Sequence, residues 1–227
     1  MNPELHEDPA QLPLGGLVPP VNDPVAQALE RGESALAHGK IDEAVAAFRD
    51  ALQTSPGHVR ARVRLAVSLD RKGDPEGAIA ELDRALAQQQ DNVTLLLGRA
   101  AVTSGRQRYT QAEADLRRAL KLSESNAQVH LQLGVLQCRR ARWGEAIGFL
   151  RRAVELDPSL VPPHYYLGEA YNHVDQLDAA RHSYERAAEL EPANWRALQG
   201  LGVVYDRLGR PVEAAAAYRR SREAQRT

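Results

Sequence analysis

Residues 161–194 read VPPHYYLGEAYNHVDQLDAARHSYERAAELEPAN. Within them Leu167, Gly168 and Tyr171 stand three and four residues apart, as do Ala180, Tyr184 and Ala187. That spacing places each trio on one face of an α-helix. Pro192 then closes the second helix, because a proline disfavours helical backbone in the residue before it. The stretch predicts two antiparallel helices joined by a short turn, and it sets a length of 34 residues.

Moving outward from it in steps of 34, the alanine at position 20 of the frame recurs as Ala44, Ala78, Ala112, Ala146, Ala180 and Ala214. Twelve residues earlier stand Gly32, Ala66, Ala100, Gly134, Gly168 and Gly202; four residues later stand Phe48, Leu82, Leu116, Leu150, Tyr184 and Tyr218. Seven residues after each alanine come Ala51, Ala85, Ala119, Ala153, Ala187 and Ser221. A fixed period with matched columns is an internal repeat. The frames are 25–58, 59–92, 93–126, 127–160, 161–194 and 195–227. Small residues fall where two helices cross closely, and the large residue fills the layer between neighbours. Gly39, Gly73 and Gly209 stand where the first helix should end in a left-handed cap, and Pro75 and Pro211 where the second should begin. Residues 1–24 hold six prolines, four acidic side chains and no basic one, so they are expected to form an extended, flexible acidic arm.

These columns resemble the tetratricopeptide repeat family over about nine-tenths of the chain. The fifth repeat matches best, through Leu167, Gly168, Tyr171, Ala180, Tyr184, Ala187 and Pro192; the sixth supplies Leu201, Gly202, Tyr205, Ala214 and Tyr218. Departures are Gln90 and Glu124 at the closing proline and Thr103 at the usual aromatic position. The resemblance implies an all-α, right-handed superhelical solenoid of six helix-turn-helix repeats, with first helices lining a concave groove and a role as a protein-interaction scaffold. Chaperone-binding members hold a C-terminal carboxylate with Lys at position 5 and Asn at position 9, and no repeat here has either. The related pentatricopeptide repeats bind RNA, but they run to 35 residues, and the strict period of 34 speaks against that use.

Composition agrees. The 227 residues are 43% hydrophobic but 5% aromatic, with 36 Ala and 29 Leu, side chains that cost a helix little to accommodate. A formal net charge of −1 argues against a general nucleic-acid binder, whose affinity comes from counterion release at a basic surface. Cys138, the single cysteine, excludes an intrachain disulfide and a cysteine-rich metal site. No apolar run reaches the roughly 18 residues that span a bilayer, and the acidic, proline-interrupted N-terminus does not read as a signal peptide. A cytoplasmic address is expected. Basic residues other than Lys40, Lys72 and Lys121 are arginine, which suits a high-GC bacterial genome.

Positions 2, 5, 9 and 12 of each first helix fall on one face by helical spacing, and the resemblance implies that this face looks into the groove; positions 5 and 9 sample it. In order they are Leu29 and Glu33, Val63 and Val67, Leu97 and Ala101, Leu131 and Val135, Tyr165 and Glu169, then Gln199 and Val203. The centre of this strip is apolar, its border carries Arg60, Arg64, Arg71, Arg139 and Arg207, and Glu169 and Asn172 make the far end polar. Two readings stand side by side: apolar residues that pack first helix against first helix, or a groove for a partner helix or extended peptide. Tyr165 and Trp195 are candidate anchors. His130, His164, His173 and His182 have no neighbours at a metal-ligand spacing, so neither metal nor cofactor is expected. Cys138 reads as a packed side chain whose pKa Arg139 and Arg140 should lower slightly.

The expected function is that of a non-enzymatic adapter. The alternative is a homo-oligomeric scaffold, suggested by an acidic arm and fifth repeat against a sixth repeat carrying +4. Frame position 28 reads Leu52, Leu86, Leu120, Val154, Ala188 and then Arg222, so the last helix is expected to end the stack.

Overall fold

A computed structural model describes residues 23–226. The twelve helices among them fall in pairs, one pair per frame: α1 (Pro24–Ala37) with α2 (Ile41–Thr54), α3 (Val59–Lys72) with α4 (Pro75–Gln88), and α5 (Val93–Gly105) with α6 (Tyr109–Leu122). They continue as α7 (Ala127–Arg139) with α8 (Trp143–Leu156), α9 (Val161–His173) with α10 (Leu177–Leu190), and α11 (Trp195–Arg207) with α12 (Pro211–Ala224). No strand occurs among the described residues. The flexible arm expected over 1–24 lies outside them except for its last two residues: Asp23 caps α1 by accepting from the Val25 N–H, and Pro24 opens it.

Five of the six first helices start at a side-chain acceptor; the exception is α9, which follows Leu160. His58, Asn92, Asn126 and Asn194, all at frame position 34, accept from an N–H in the first turn of the helix that follows. Each cap satisfies a donor that has no intrahelical partner. At position 4, Arg62, His130 and His164 reach back to the carbonyls of Pro56 (2.5 Å), Glu124 (2.8 Å) and Pro158 (3.3 Å), fastening each helix to the preceding loop. Both histidines are more than nine-tenths buried, and this bond is what they contribute.

The helix pairs interlock through the small and large columns. A Cβ added at Gly32, Gly134, Gly168 or Gly202 would lie 2.5 to 2.6 Å from Phe48, Leu150, Tyr184 or Tyr218 respectively. Hydrogen is therefore the largest group those positions can carry. In the second and third repeats the small residue is Ala66 or Ala100, and the large one is the non-aromatic Leu82 or Leu116; all four are buried.

Each pair turns through a left-handed residue at frame position 15. Gly39, Gly73 and Gly209 have φ of 72°, 95° and 71°, as expected, but Gln107 (62°), Ala141 (55°) and Asp175 (63°) adopt the same conformation without being glycine. A Cβ in this region costs about 1–2 kcal/mol, partly offset by the greater unfolded-state freedom of glycine. Ala141 is exposed, so its methyl group contributes no core packing. Ala141→Gly is expected to stabilise the fold by about 0.5–1 kcal/mol and raise the melting temperature by a few degrees; unchanged or lower thermal stability would contradict this.

Adjacent helices pack in chain order, and odd-numbered helices also touch one another, α3 with α5, α5 with α7, α7 with α9 and α9 with α11. Successive even-numbered helices make no comparable contact. The odd helices therefore crowd along the inner side of a solenoid and the even helices splay along the outer side. Its core is drawn out as successive clusters rather than gathered in one place.

Candidate partner-binding groove

The apolar strip divides by depth. Leu131 is buried among Cys138, Leu150 and Leu167, whereas Val63 and Leu97 are half-buried against the core of the first three repeats, Val63 lying against Gly98 of the next first helix. Val67, Val135 and Tyr165 are half-buried and Val203 is 39% exposed. Position 5 thus forms the floor where first helices meet, and position 9 stands higher, with Ala101 and Val203 open to solvent.

Two cavities open along this face. One, of about 190 Å³, lies between α5, α7 and α9; Ala101, Leu131, Val135, Pro162 and Tyr166 make it apolar, and Ser104, Gln128, Gln132 and Arg139 place polar groups around it. The other, of about 300 Å³, lies between α9 and α11 and is lined by Tyr165, Glu169, Asn172, Tyr184, Trp195, Arg196, Gln199, Gly200 and Val203. A hollow of about 740 Å³ beside α1 and α2 is larger, but four of its charged wall residues are matched to each other, Arg31 with Asp50 and Lys40 with Glu43, and it lies away from the face of the later first helices. Apolar lining with a few polar groups characterises small binding sites, which favours the cavity between α5, α7 and α9; polar and apolar groups line the one between α9 and α11 about equally.

The arginines of the expected basic border are largely engaged. Arg64 makes a two-pronged ion pair with Glu33, which Arg60 joins at 3.5 Å. Arg139 Nη1 donates to Ser104 Oγ (2.8 Å), and Arg207 bonds Asn172 and Asp175. Arg71 is exposed near the end of α3 and joins none of these pairs. The border is thus a set of ties between consecutive repeats. Trp195 is half-buried at the start of α11, with the Arg196 guanidinium over its ring at 4.9 Å, so it helps to wall the second cavity.

Beneath the groove, burial and then the charge of Glu169 push the Cys138 thiol up to about 12. This corrects the expectation that its arginine neighbours lower that pKa: Arg139 is turned to Ser104 and Arg140 to Glu113 (2.5 Å), and desolvation of the thiolate dominates. Tyr165 Oη donates to Glu169 Oε1 (2.7 Å), and burial together with this bond raises the tyrosine pKa. Position 2 puts Gln128 and Arg196 on the face assigned to the groove, whereas the sequence does not point to Gln132 and Tyr166 in the first cavity or Gly200 in the second, all at position 6. A comparison of position 6 with position 9 across the repeats would have shown the last of these.

An α-solenoid of stacked helix pairs with a cavity-bearing inner face is the architecture of repeat proteins that serve as interaction scaffolds. A tetratricopeptide repeat model matches residues 35–100, and a second matches 95–160 and 165–227. The chain belongs to the tetratricopeptide repeat family, whose members are generally non-enzymatic scaffolds for protein–protein interaction. A search of curated proteins returns no match. Among solved structures it resembles MamA, at 25% identity and a TM-score of 0.62 over 71% of this chain and 95% of that one. It also resembles the Cut9–Hcn1 hetero-tetramer of the APC/C, at 20% identity and a TM-score of 0.76, over 88% of this chain but 40% of that one. YrrB, described as a tetratricopeptide repeat protein with an unusual peptide-binding site, aligns at 22% identity and a TM-score of 0.56, over 78% of this chain and 92% of that one. No described helix is long and apolar enough to cross a membrane.

Proposed function

We propose that this protein is an adapter whose first-helix face binds an extended peptide or helix of a partner protein. The observation that supports the reading is the pair of cavities of about 190 and 300 Å³ on that face, each built from neighbouring odd helices. An apolar side chain of a ligand would enter the cavity between α5, α7 and α9, and burying one such side chain contributes about 1.5–3 kcal/mol. Position 9 is the place to test this, because changes at Leu97 or Leu131 would also disturb the packing between repeats.

Panning a displayed library of random peptides on the full chain should enrich binders. In the Ala101→Glu and Val135→Glu double variant, binding of the selected peptides should fall at least tenfold while helical circular dichroism is unchanged. Equal binding by the variant would overturn the assignment of the groove. Light scattering at low and high salt tests the rival in which repeat arrays join end to end, which requires an oligomer.

A further inference from the structure

The repeats offer an internal comparison at frame positions 9 and 6. Glu33 and Glu169 both occupy position 9 of a first helix. The carboxylate of Glu33 is met by Arg64, at position 6 of the following repeat, with Nε to Oε1 at 2.6 Å and Nη2 on Oε2. Glu169 meets Gly200 at the corresponding place. No side chain fits there, because a Cβ on Gly200 would lie 2.5 Å from the ring of Tyr184. The chain therefore cannot supply from position 6 the guanidinium that it supplies to Glu33.

The place where that group would lie belongs to the 300 Å³ cavity, which both Glu169 and Gly200 line. Glu169 accepts from Tyr165 Oη and makes no ion pair among the described residues. Its charge is felt by its surroundings, since it raises the pKa values of Cys138, Tyr166 and Tyr184 after the larger effect of burial. Two arginines stand nearby without answering it. Arg196, the counterpart of Arg60, lies over the Trp195 ring, and Arg139 is bonded to Ser104. The result is a half-buried carboxylate beside an empty slot, with Tyr165 and Trp195 lining the same cavity. A planar guanidinium suits such a place, because it can bond a carboxylate through two N–H groups and lie against aromatic faces.

We infer that this slot takes an arginine side chain of the bound peptide, its guanidinium on Glu169, in place of the arginine that the second repeat provides to Glu33 from within the chain. The inference rests on the groove reading above and adds the chemistry of the ligand. An apolar residue would enter the cavity between α5, α7 and α9, and an arginine farther along the peptide would enter the one between α9 and α11.

The test uses the full-length chain and a displayed library of random 12-residue peptides. Selected peptides should be enriched in arginine at one position relative to an apolar residue, and replacing that arginine with alanine should weaken binding about tenfold. Glu169→Gln keeps the shape and an acceptor for Tyr165 but removes the charge; it should abolish the arginine enrichment and weaken the parent peptide by a similar factor, with thermal stability unchanged. Peptides that bind in a Val135→Glu-sensitive manner, show no arginine preference and are indifferent to Glu169→Gln would overturn this inference and leave the groove reading standing. Failure to enrich any peptide over the Ala101→Glu and Val135→Glu variant would overturn both. Self-association that Glu169→Gln abolishes would also overturn the assignment, by giving the slot to a second copy of this chain.

Discussion

Replacing Arg99 with alanine is expected to destabilise the protein by about 3 kcal/mol, measured by urea unfolding, because it leaves a carboxylate buried without a partner. Arg99 on α5 bonds both oxygens of Asp115 on α6 (2.6 and 2.8 Å) and one of Asp83 on α4 (2.6 Å). The Asp115 side chain is 6% exposed, whereas that of Asp83 is 49% exposed and remains hydrated. Asp83→Ala should accordingly cost under about 1 kcal/mol. Replacing Arg99 and Asp115 together with leucine should cost much less than Arg99→Ala, since no charge is then left in the interior. A small effect of Arg99→Ala, or a double variant as unstable as the single one, would show that Asp115 is solvated after the arginine is lost.

Gly168→Ala should destabilise by about 2 kcal/mol even though alanine is the better helix former by about 1 kcal/mol. The added methyl would lie 2.6 Å from Tyr184, and that ring cannot swing aside because Gly200 presses on it from the next repeat. Gly148→Ala is the control: the added atom meets nothing, so the same change should stabilise by about 1 kcal/mol. Tyr184→Leu, which approximates the alanine and leucine arrangement of the second and third repeats, should be less costly in the Gly168→Ala background than alone. Additive costs in that double-mutant cycle would refute the steric account.

The fold could be read from the residues because each column answers one local demand. Ala44 and its equivalents sit at a crossing, Phe48 and its equivalents enter the gap left at Gly32 and its equivalents, and Gly39, Gly73 and Gly209 turn the chain. The same turn in repeats three to five escaped notice, since Gln107, Ala141 and Asp175 do not advertise a positive φ; only their frame position does. The groove was harder. Helical spacing places Leu131 and Val135 on one face, but it cannot say how closely the next odd helix approaches, and that distance buries Leu131 while leaving Val135 beside a cavity. Nor does a residue list show that Glu33 spends the charges of Arg60 and Arg64, because the partners lie 27 and 31 positions apart.

The unequal contacts of odd and even helices also bear on how the protein deforms. A strip bends most easily about the layer whose length it cannot change, and here that layer is the row of touching odd helices. Flexing the array alters spacings between even helices, where little contact is lost, and leaves the inner row at nearly constant length. The molecule should respond to tension or torsion as a spring with its stiff edge inside, keeping the separation of its two cavities while its outer circumference opens and closes.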